Sequence, residues 1–210
     1  MFVSLNVSTI KYTRYIFPQN RMEKRFKIGS NNIMKKQTTL SLTQTALMTA
    51  LIAVSAQLAL PFFAIPLTLQ TFTVCLAGFL LSAHRGLISV SLYLALGACG
   101  MPVFAGFQGS FGILFGPTGG FLLGFLPLAF FCGIAPKNKL LSVIFPLIGL
   151  AICHLFGVLW FSWQSGNGML SAFLLSSAPY IIKDILSCIA ARLLAKRLLR
   201  VTKSKIFNKN

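Results

Sequence analysis

The chain has 210 residues, 56% of them hydrophobic and only 10% charged, with a mean hydropathy of +0.80; a soluble domain carries about 25% charged residues, so lipid must cover much of this surface. Its only acids are Glu23 and Asp184, one in a polar tail and one in an apolar run, which excludes chemistry that needs a carboxylate pair. The net charge of +17 gathers at the ends, eight basic residues before position 40 and seven after 190, and no basic stripe is interleaved with aromatics; it reads as topology determinants and attraction to anionic headgroups, not as a nucleic-acid surface.

Residues 1–40 are basic and polar and read as a cytoplasmic tail, with no apolar stretch placed as a signal peptide would have it. Met34-Lys35-Lys36 reads as a start of its own, so 1–33 are expected to be an upstream extension. A spanning helix needs about 20 apolar residues. That ruler predicts six spans, at 42–60, 67–84, 86–102, 118–135, 140–162 and 179–199, within a membrane domain over 41–200 that is followed by a basic tail at 201–210. The breaks carry turn chemistry: Pro61 to Pro66, His84-Arg85-Gly86, Met101-Pro102 with the Gly-rich stretch to Pro117, Pro136 to Lys139, and Gln164 to Gly168.

Orientation follows from the basic residues. They flank the first span on its N side, the second-to-third turn (Arg85), the fourth-to-fifth turn (Lys137, Lys139) and the end of the sixth span, whereas 61–66, 103–117 and 164–178 carry no charge. Cytoplasmic loops collect Lys and Arg. The expected fold is therefore an all-α bundle of six transmembrane helices with both termini in the cytoplasm. The Gly-rich, apolar segment 103–117 falls on the outer side. Irregular backbone at membrane depth survives where it is buried in protein or lines a cavity, so this segment is expected to act as a lid; a plain surface connection is the alternative.

Cys75, Cys99, Cys132, Cys153 and Cys188 are scattered through the apolar runs without a Cys-x-x-Cys pair and read as small packing residues. His84 beside Arg85 reads as a topology residue and His154 as a packing residue in the fifth span. No metal site and no cofactor are expected. A catalytic Ser/His/Asp set, a His-Glu-x-x-His motif and a phosphate loop are all missing, so the chain is not expected to be an enzyme or to hydrolyse ATP itself.

Pro66-Leu67-Thr68-Leu69-Gln70-Thr71, then Arg85-Gly86 with Tyr93 and Gly97, Gly100 to Gly106, and above all Gly116-Pro117-Thr118-Gly119-Gly120-Phe121-Leu122-Leu123-Gly124-Phe125 run in an order and spacing that resembles the BioY family. These are the biotin-specific S components of energy-coupling-factor transporters. Pro179 to Ile185 resembles the family's start of the sixth span, and the match extends over 42–199. The family usually has Tyr where Phe121 stands, Gly where Lys183 stands, and Lys three residues after the Asp, where this chain has Ser187.

Asp184 is the leading site residue. A charge inside a span faces a cavity or a partner, and Asp184 lies about 7–8 Å along a helix starting at Pro179, the depth of a pocket floor beneath the lid. A carboxylate accepts from both N–H groups of a cyclic urea, and the resemblance implies that role toward biotin. A self-neutralising pair with Lys183 is the alternative. Lys183 is also the candidate to replace the positive charge absent at Ser187, for which, about 100° round the helix, it needs a long reach across the helix face. Thr68 and Gln70 are placed to meet the ureido oxygen or the ligand carboxylate, with helix packing an equal alternative for Gln70. Gln108 in the lid and Tyr93 in the third span are further substrate-binding candidates. Phe62, Phe63, Phe104, Phe107, Gly116, Pro117, Thr118 and Phe121 are expected in the lid and pocket wall, with lipid contact the alternative for the Phe residues. Ala46 and Ala50 form a small-x-x-x-small stripe in the first span. The resemblance implies that this stripe docks a transmembrane coupling subunit, which two ATPase subunits accompany. The expected function is high-affinity biotin capture in the cytoplasmic membrane for an ATP-driven importer; a solitary carrier acting without ATPase partners is the alternative.

Overall fold

The computed structural model describes residues 39–60, 66–134, 136 and 138–207. The expected extension before Met34, Phe62, Phe63 and Lys137 lie outside the described residues. The chain divides into two compact units, Met1–Thr43 and Gln44–Asn210, and the bundle belongs to the second.

The described residues are predominantly helical. In chain order they form α1 (Thr39–Gln57), a minimal antiparallel pair β1 (Ala59–Leu60) and β2 (Leu67–Thr68), α2 (Gln70–Leu81), α3 (Ala83–Ala98), a 3-10 turn (Phe111–Phe115), α4 (Gly119–Gly133), α5 (Leu141–Ser165), α6 (Met169–Ser176) and α7 (Ala178–Phe207). The β pair, Ala59 opposite Thr68 and Leu60 opposite Leu67, closes the Pro61–Pro66 break; it is the one departure from the all-α expectation among the described residues.

A helix occupies each of the six expected positions, with a different distribution of length. Thr39–Gln57 and Leu141–Ser165 are long and apolar enough to cross a membrane, and Met169–Ser176 with Ala178–Val201 passes as a pair bent by 47°. In contrast, α2 has 12 residues, α3 has 16 and α4 has 15, each short of the roughly 20 needed at 1.5 Å per residue. The expected loop 164–178 is corrected: most of it is α6, because Met169 to Leu175 is an apolar run that hydrogen-bonds internally and buries Ala172 and Ser176.

Expected at His84-Arg85-Gly86, the second turn falls two residues earlier. Ser82 adopts φ +82°, donates its N–H to Gly78 O (3.1 Å) and accepts from Gly86 N–H (2.8 Å), so α2 passes into α3 through one left-handed residue. Such a conformation is costly for a residue with a Cβ, and the paired backbone groups on both sides hold it there.

Packing puts α2 at the centre. It lies against α3, α4 and α7, while α5 covers α4 and α6 joins α5 to α7. The core combines Val74 and Ala77 of α2, Val90 and Tyr93 of α3, Leu128 and Ala129 of α4, Leu150 of α5 and Ala191 of α7. On the outside, Leu47, Trp163, Leu170, Ile182 and Leu186 are exposed. A water-facing helix does not carry such residues in continuous rows, so these surfaces are the lipid-facing ones.

The glycines of Gly116 to Phe125 act in helix packing. A Cβ on Gly120 would stand 2.6 Å from Phe156 O, and one on Gly124 would stand 2.9 Å from Cys153 Cα. Their absence lets α4 lie directly on the backbone of α5.

Candidate functional site

A cavity of about 110 Å³ opens between α2, α4, α7 and the loop after α3. Thr68, Gln70, Gln108, Thr118, Lys183 and Asp184 supply its polar lining, and Phe104, Ile113, Phe121, Leu122 and Phe125 its apolar wall.

Thr68, Gln70, Lys183 and Asp184 form one connected set. Thr68 closes the β pair and Gln70 starts α2, so the two stand at the same end of the helix. Thr68 Oγ1 donates to Gln70 Oε1 (3.0 Å), and Gln70 Nε2 donates to Tyr93 Oη (2.6 Å). Tyr93 is fully buried and meets Phe104 edge-on at 5.5 Å between ring centroids. It therefore sits behind the cavity wall, orienting Gln70, and is not itself part of the lining.

On the facing helix, Lys183 Nζ lies 2.5 Å from Asp184 Oδ1 and donates to the backbone oxygen of Thr68 (2.9 Å). The lysine thus ties α7 to β2. Asp184 is 7% exposed. Its Oδ1 is buried and, despite the nearby ammonium, accepts no hydrogen bond of good geometry. A buried carboxylate oxygen in that condition has acceptor capacity to offer a ligand.

His154 is the residue that sequence reasoning missed. Expected to be a packing residue, it places Nε2 3.4 Å from Asp184 Oδ2, while its Nδ1 is 2.7 Å from Ser177 Oγ. The ring stands edge-on to Phe121 at 6.0 Å. The signal was available: a polar ring in an apolar span faces a cavity or a partner, and Asp184 is the one acid in the spans. Thr71, Cys153, Ser176 and Tyr180 also line the cavity; ordinary helical positions gave no sign of them.

The lid segment separates into parts. Phe104 pairs with Gln108 across a tight turn in which Gly106 (φ +73°) and Phe107 (φ +57°) are both left-handed. Phe104 turns inward and is 2% exposed, whereas Phe107 is 72% exposed at the tip and does not line the cavity, which corrects the expectation for Phe107. Gly116 and Pro117 do not line it either: Gly116 O accepts from Trp160 Nε1 (3.0 Å), so this corner braces α4 against α5. Thr118 and Phe121, one turn further on, do line it. Gln57, at the end of α1, holds the turn from behind. Its Nε2 donates to Phe104 O (3.1 Å) and its Oε1 accepts from Phe107 N–H (2.9 Å).

Ala46 and Ala50 both lie exposed on α1. The opposite face of that helix is buried through Met48, Thr49, Ile52 and Ala56, and Thr49 Oγ1 donates to Ser89 O (3.0 Å) of α3.

The arrangement presents a buried acceptor, a cation, five hydroxyls and two amides around an apolar slot. That combination suits a small solute with N–H donors at one end and an apolar body; the hydroxyl that does stand beside a base, Ser177 Oγ at 2.7 Å from His154 Nδ1, does not line the cavity.

Comparison with known proteins gives the same direction. The BioY family model matches residues 25–204. The "Probable biotin transporter BioY" of Pyrococcus horikoshii is 39% identical over 73% of this chain and 92% of its own length. The "Biotin transporter BioY" of Thermotoga maritima is 34% identical over 75% and 94%. The crystal structure of the S-component for biotin from an ECF-type ABC transporter matches with a TM-score of 0.71 at 29% identity, over 79% of this chain and 93% of that one. These relatives are transporters, not enzymes. With the matched region spanning the whole helical bundle, the chain belongs to the BioY family.

Proposed function

We propose that this chain is the biotin-capture subunit of an energy-coupling-factor importer in the cytoplasmic membrane, a six-span protein with both termini inside and the cavity opening outward. The observation that carries the proposal is Asp184 Oδ1, a buried acceptor at the floor of a cavity walled by Phe104, Phe121, Leu122 and Phe125. Biotin's head is a cyclic urea with two N–H donors and one oxygen acceptor, and its tail is an apolar chain ending in a carboxylate. Asp184 accepts from the ureido N–H groups. Thr68, Gln70, Gln108 or Lys183 meets the ureido oxygen or the carboxylate, and the aromatic wall holds the chain.

Transport needs an energy source that this sequence lacks, since it has no phosphate loop. A transmembrane coupling subunit and two ATPase subunits supply it, docked along Ala46 and Ala50.

Calorimetric titration of the purified full-length chain in detergent tests the reading. Biotin should bind at one per chain, and an analogue with both ureido nitrogens methylated should bind more weakly because it has no N–H to donate to Asp184. No heat with biotin at micromolar protein would overturn capture. Equal uptake of biotin into vesicles with and without the coupling subunits and ATP would replace the importer subunit by a solitary carrier.

A further inference from the structure

The bundle brings together three of the five cysteines that the sequence scatters over more than 110 positions. Cys75 of α2, Cys132 of α4 and Cys188 of α7 place their Sγ atoms within 4.8 Å of one another. All three are buried, at 0%, 2% and 5% exposure, and none is in a disulfide. We propose that Cys75, Cys132 and Cys188 form a three-sulfur site for a single soft metal ion of the Cu(I) class.

Coordination geometry supports three ligands. Sulfurs bound at about 2.3 Å in a trigonal plane stand about 4 Å apart, so rotamer adjustments of less than an ångström close this group on an ion. Among the described residues the cluster has three members and no fourth His, Cys, Asp or Glu. Zinc in a structural site takes four ligands, and calcium and magnesium take oxygen. A soft monovalent ion accepts three sulfurs and is favoured by thiolates in apolar surroundings.

Charge balance points the same way. Arg192 follows Cys188 by one helical turn, on the same face of α7, interacts with it electrostatically, and donates to Ser142 Oγ. One positive charge on the metal and one on Arg192 offset two thiolates, and the third sulfur ligates as a thiol. Binding forms three Cu–S bonds and breaks two S–H bonds; two protons leave to water and no electron is transferred.

Placement makes the site a clamp. Cys188 lies four residues beyond Asp184, and Cys132 lies seven beyond Phe125, each on the face that its partner presents to the cavity. Cys75 lies one turn below Thr71 on α2. An ion here joins the three helices directly beneath the cavity.

The test uses the full-length protein in detergent, kept anaerobic and free of added thiols. Cu(I) is titrated against a chromogenic Cu(I) chelator, and the loaded protein is examined by X-ray absorption. The expected result is one copper per chain with three sulfur scatterers. Retention should weaken on the order of 10- to 100-fold in each of Cys75→Ser, Cys132→Ser and Cys188→Ser, and stay unchanged in Cys99→Ser, whose thiol is exposed and outside the cluster. Where a Ser variant does not fold, the sulfur count on the unsubstituted protein decides alone. Failure to bind one equivalent, two or fewer sulfur scatterers, or equal retention in the cluster variants would overturn the proposal. So would a thiol count two short of five in the purified protein, which would mark a disulfide.

Discussion

Lys183 and Asp184 are neighbours on one helix that point about 100° apart, yet the lysine ammonium comes to 2.5 Å from Asp184 Oδ1 by folding back across α7 and anchoring on Thr68 O. The pair is therefore part of the α7–β2 junction. It also sets up a competition: the oxygen beside the ammonium is the one that accepts no well-formed hydrogen bond, so a ligand N–H approaches an acceptor whose charge is only partly neutralised.

Replacing Asp184 by Asn removes that acceptor and turns an amide donor toward the ligand's donors. A charge-assisted hydrogen bond contributes about 1.5–3 kcal/mol, and an unpaired buried donor costs a similar amount, so biotin affinity should fall on the order of 10²-fold or more. Lys183→Gln should cost less, because Thr68 O keeps a donor. Titration of both single variants and the double variant, with a melting curve for each, separates binding from folding. A double variant that binds like the parent would mean that Asp184 only neutralises Lys183.

His154 Nε2 stands 3.4 Å from the other carboxylate oxygen without a hydrogen bond of good geometry, while Ser177 holds the ring. His154→Ala should therefore lower biotin affinity by roughly tenfold, the scale for outer-shell orienting groups, with Ser177→Ala lowering it less. Unchanged affinity in His154→Ala would show that α7 alone holds Asp184 in place.

How much of this was readable beforehand depends on the range of the interaction. Runs such as Leu141–Ser165 declare a membrane-length helix because apolar residues dominate and no position is charged, and the glycine motif of Gly116 to Gly124 declares tight packing because nothing else fits against Trp160 and Cys153. Asp184 was legible because a lone acid in an apolar span is expensive. Its partnership with His154 was signalled only by both being polar groups in apolar spans; which faces meet, 30 positions apart, is set by the packing of α5 against α7. The convergence of Cys75, Cys132 and Cys188 was hidden for the same reason. So was the latch at Gln57, which looks like an ordinary polar residue at a helix end. Helix lengths were misjudged where the apolar runs continue into extended backbone, as at Leu67–Thr68 before α2 and 99–110 after α3.

Gln57→Ala removes both contacts that hold the Phe104–Gln108 turn from behind. Each neutral hydrogen bond contributes about 0.5–1.5 kcal/mol, and Phe107 keeps its left-handed backbone without the bond that fixes it. The turn should loosen with little change in melting temperature, and biotin should dissociate several-fold faster, since changes of this kind appear mainly in the off-rate. Stopped-flow displacement of a fluorescent biotin conjugate measures it; an unaltered off-rate would show that the turn does not retain the ligand.

Ala46 and Ala50 are exposed on the side of α1 that faces away from its own bundle. Trp at both positions should leave biotin binding by the isolated chain intact and reduce co-purification with a coupling subunit by at least several-fold. Equal loss of both would make the stripe an internal packing face.

Orientation can be read with two single cysteines, because the structure supplies a convenient background. Cys99 is the one native cysteine that is exposed; the other four are buried. Cys99→Ser should therefore suffice to silence reaction with an impermeant thiol reagent, leaving the three-cysteine cluster in place. Phe107 at the tip of the Phe104–Gln108 turn is 72% exposed, and Lys139 before α5 is also exposed. With both termini inside, Phe107→Cys should be labelled in intact cells within minutes, and Lys139→Cys only after the membrane is opened. The charge distribution leads to this expectation, since Lys139 and Arg85 lie at basic helix ends and the segment bearing Phe107 has no charge. Labelling of Lys139→Cys in intact cells, with Phe107→Cys protected, would invert the protein, open the cavity of Asp184 toward the cytoplasm, and end its reading as a capture site for external solute.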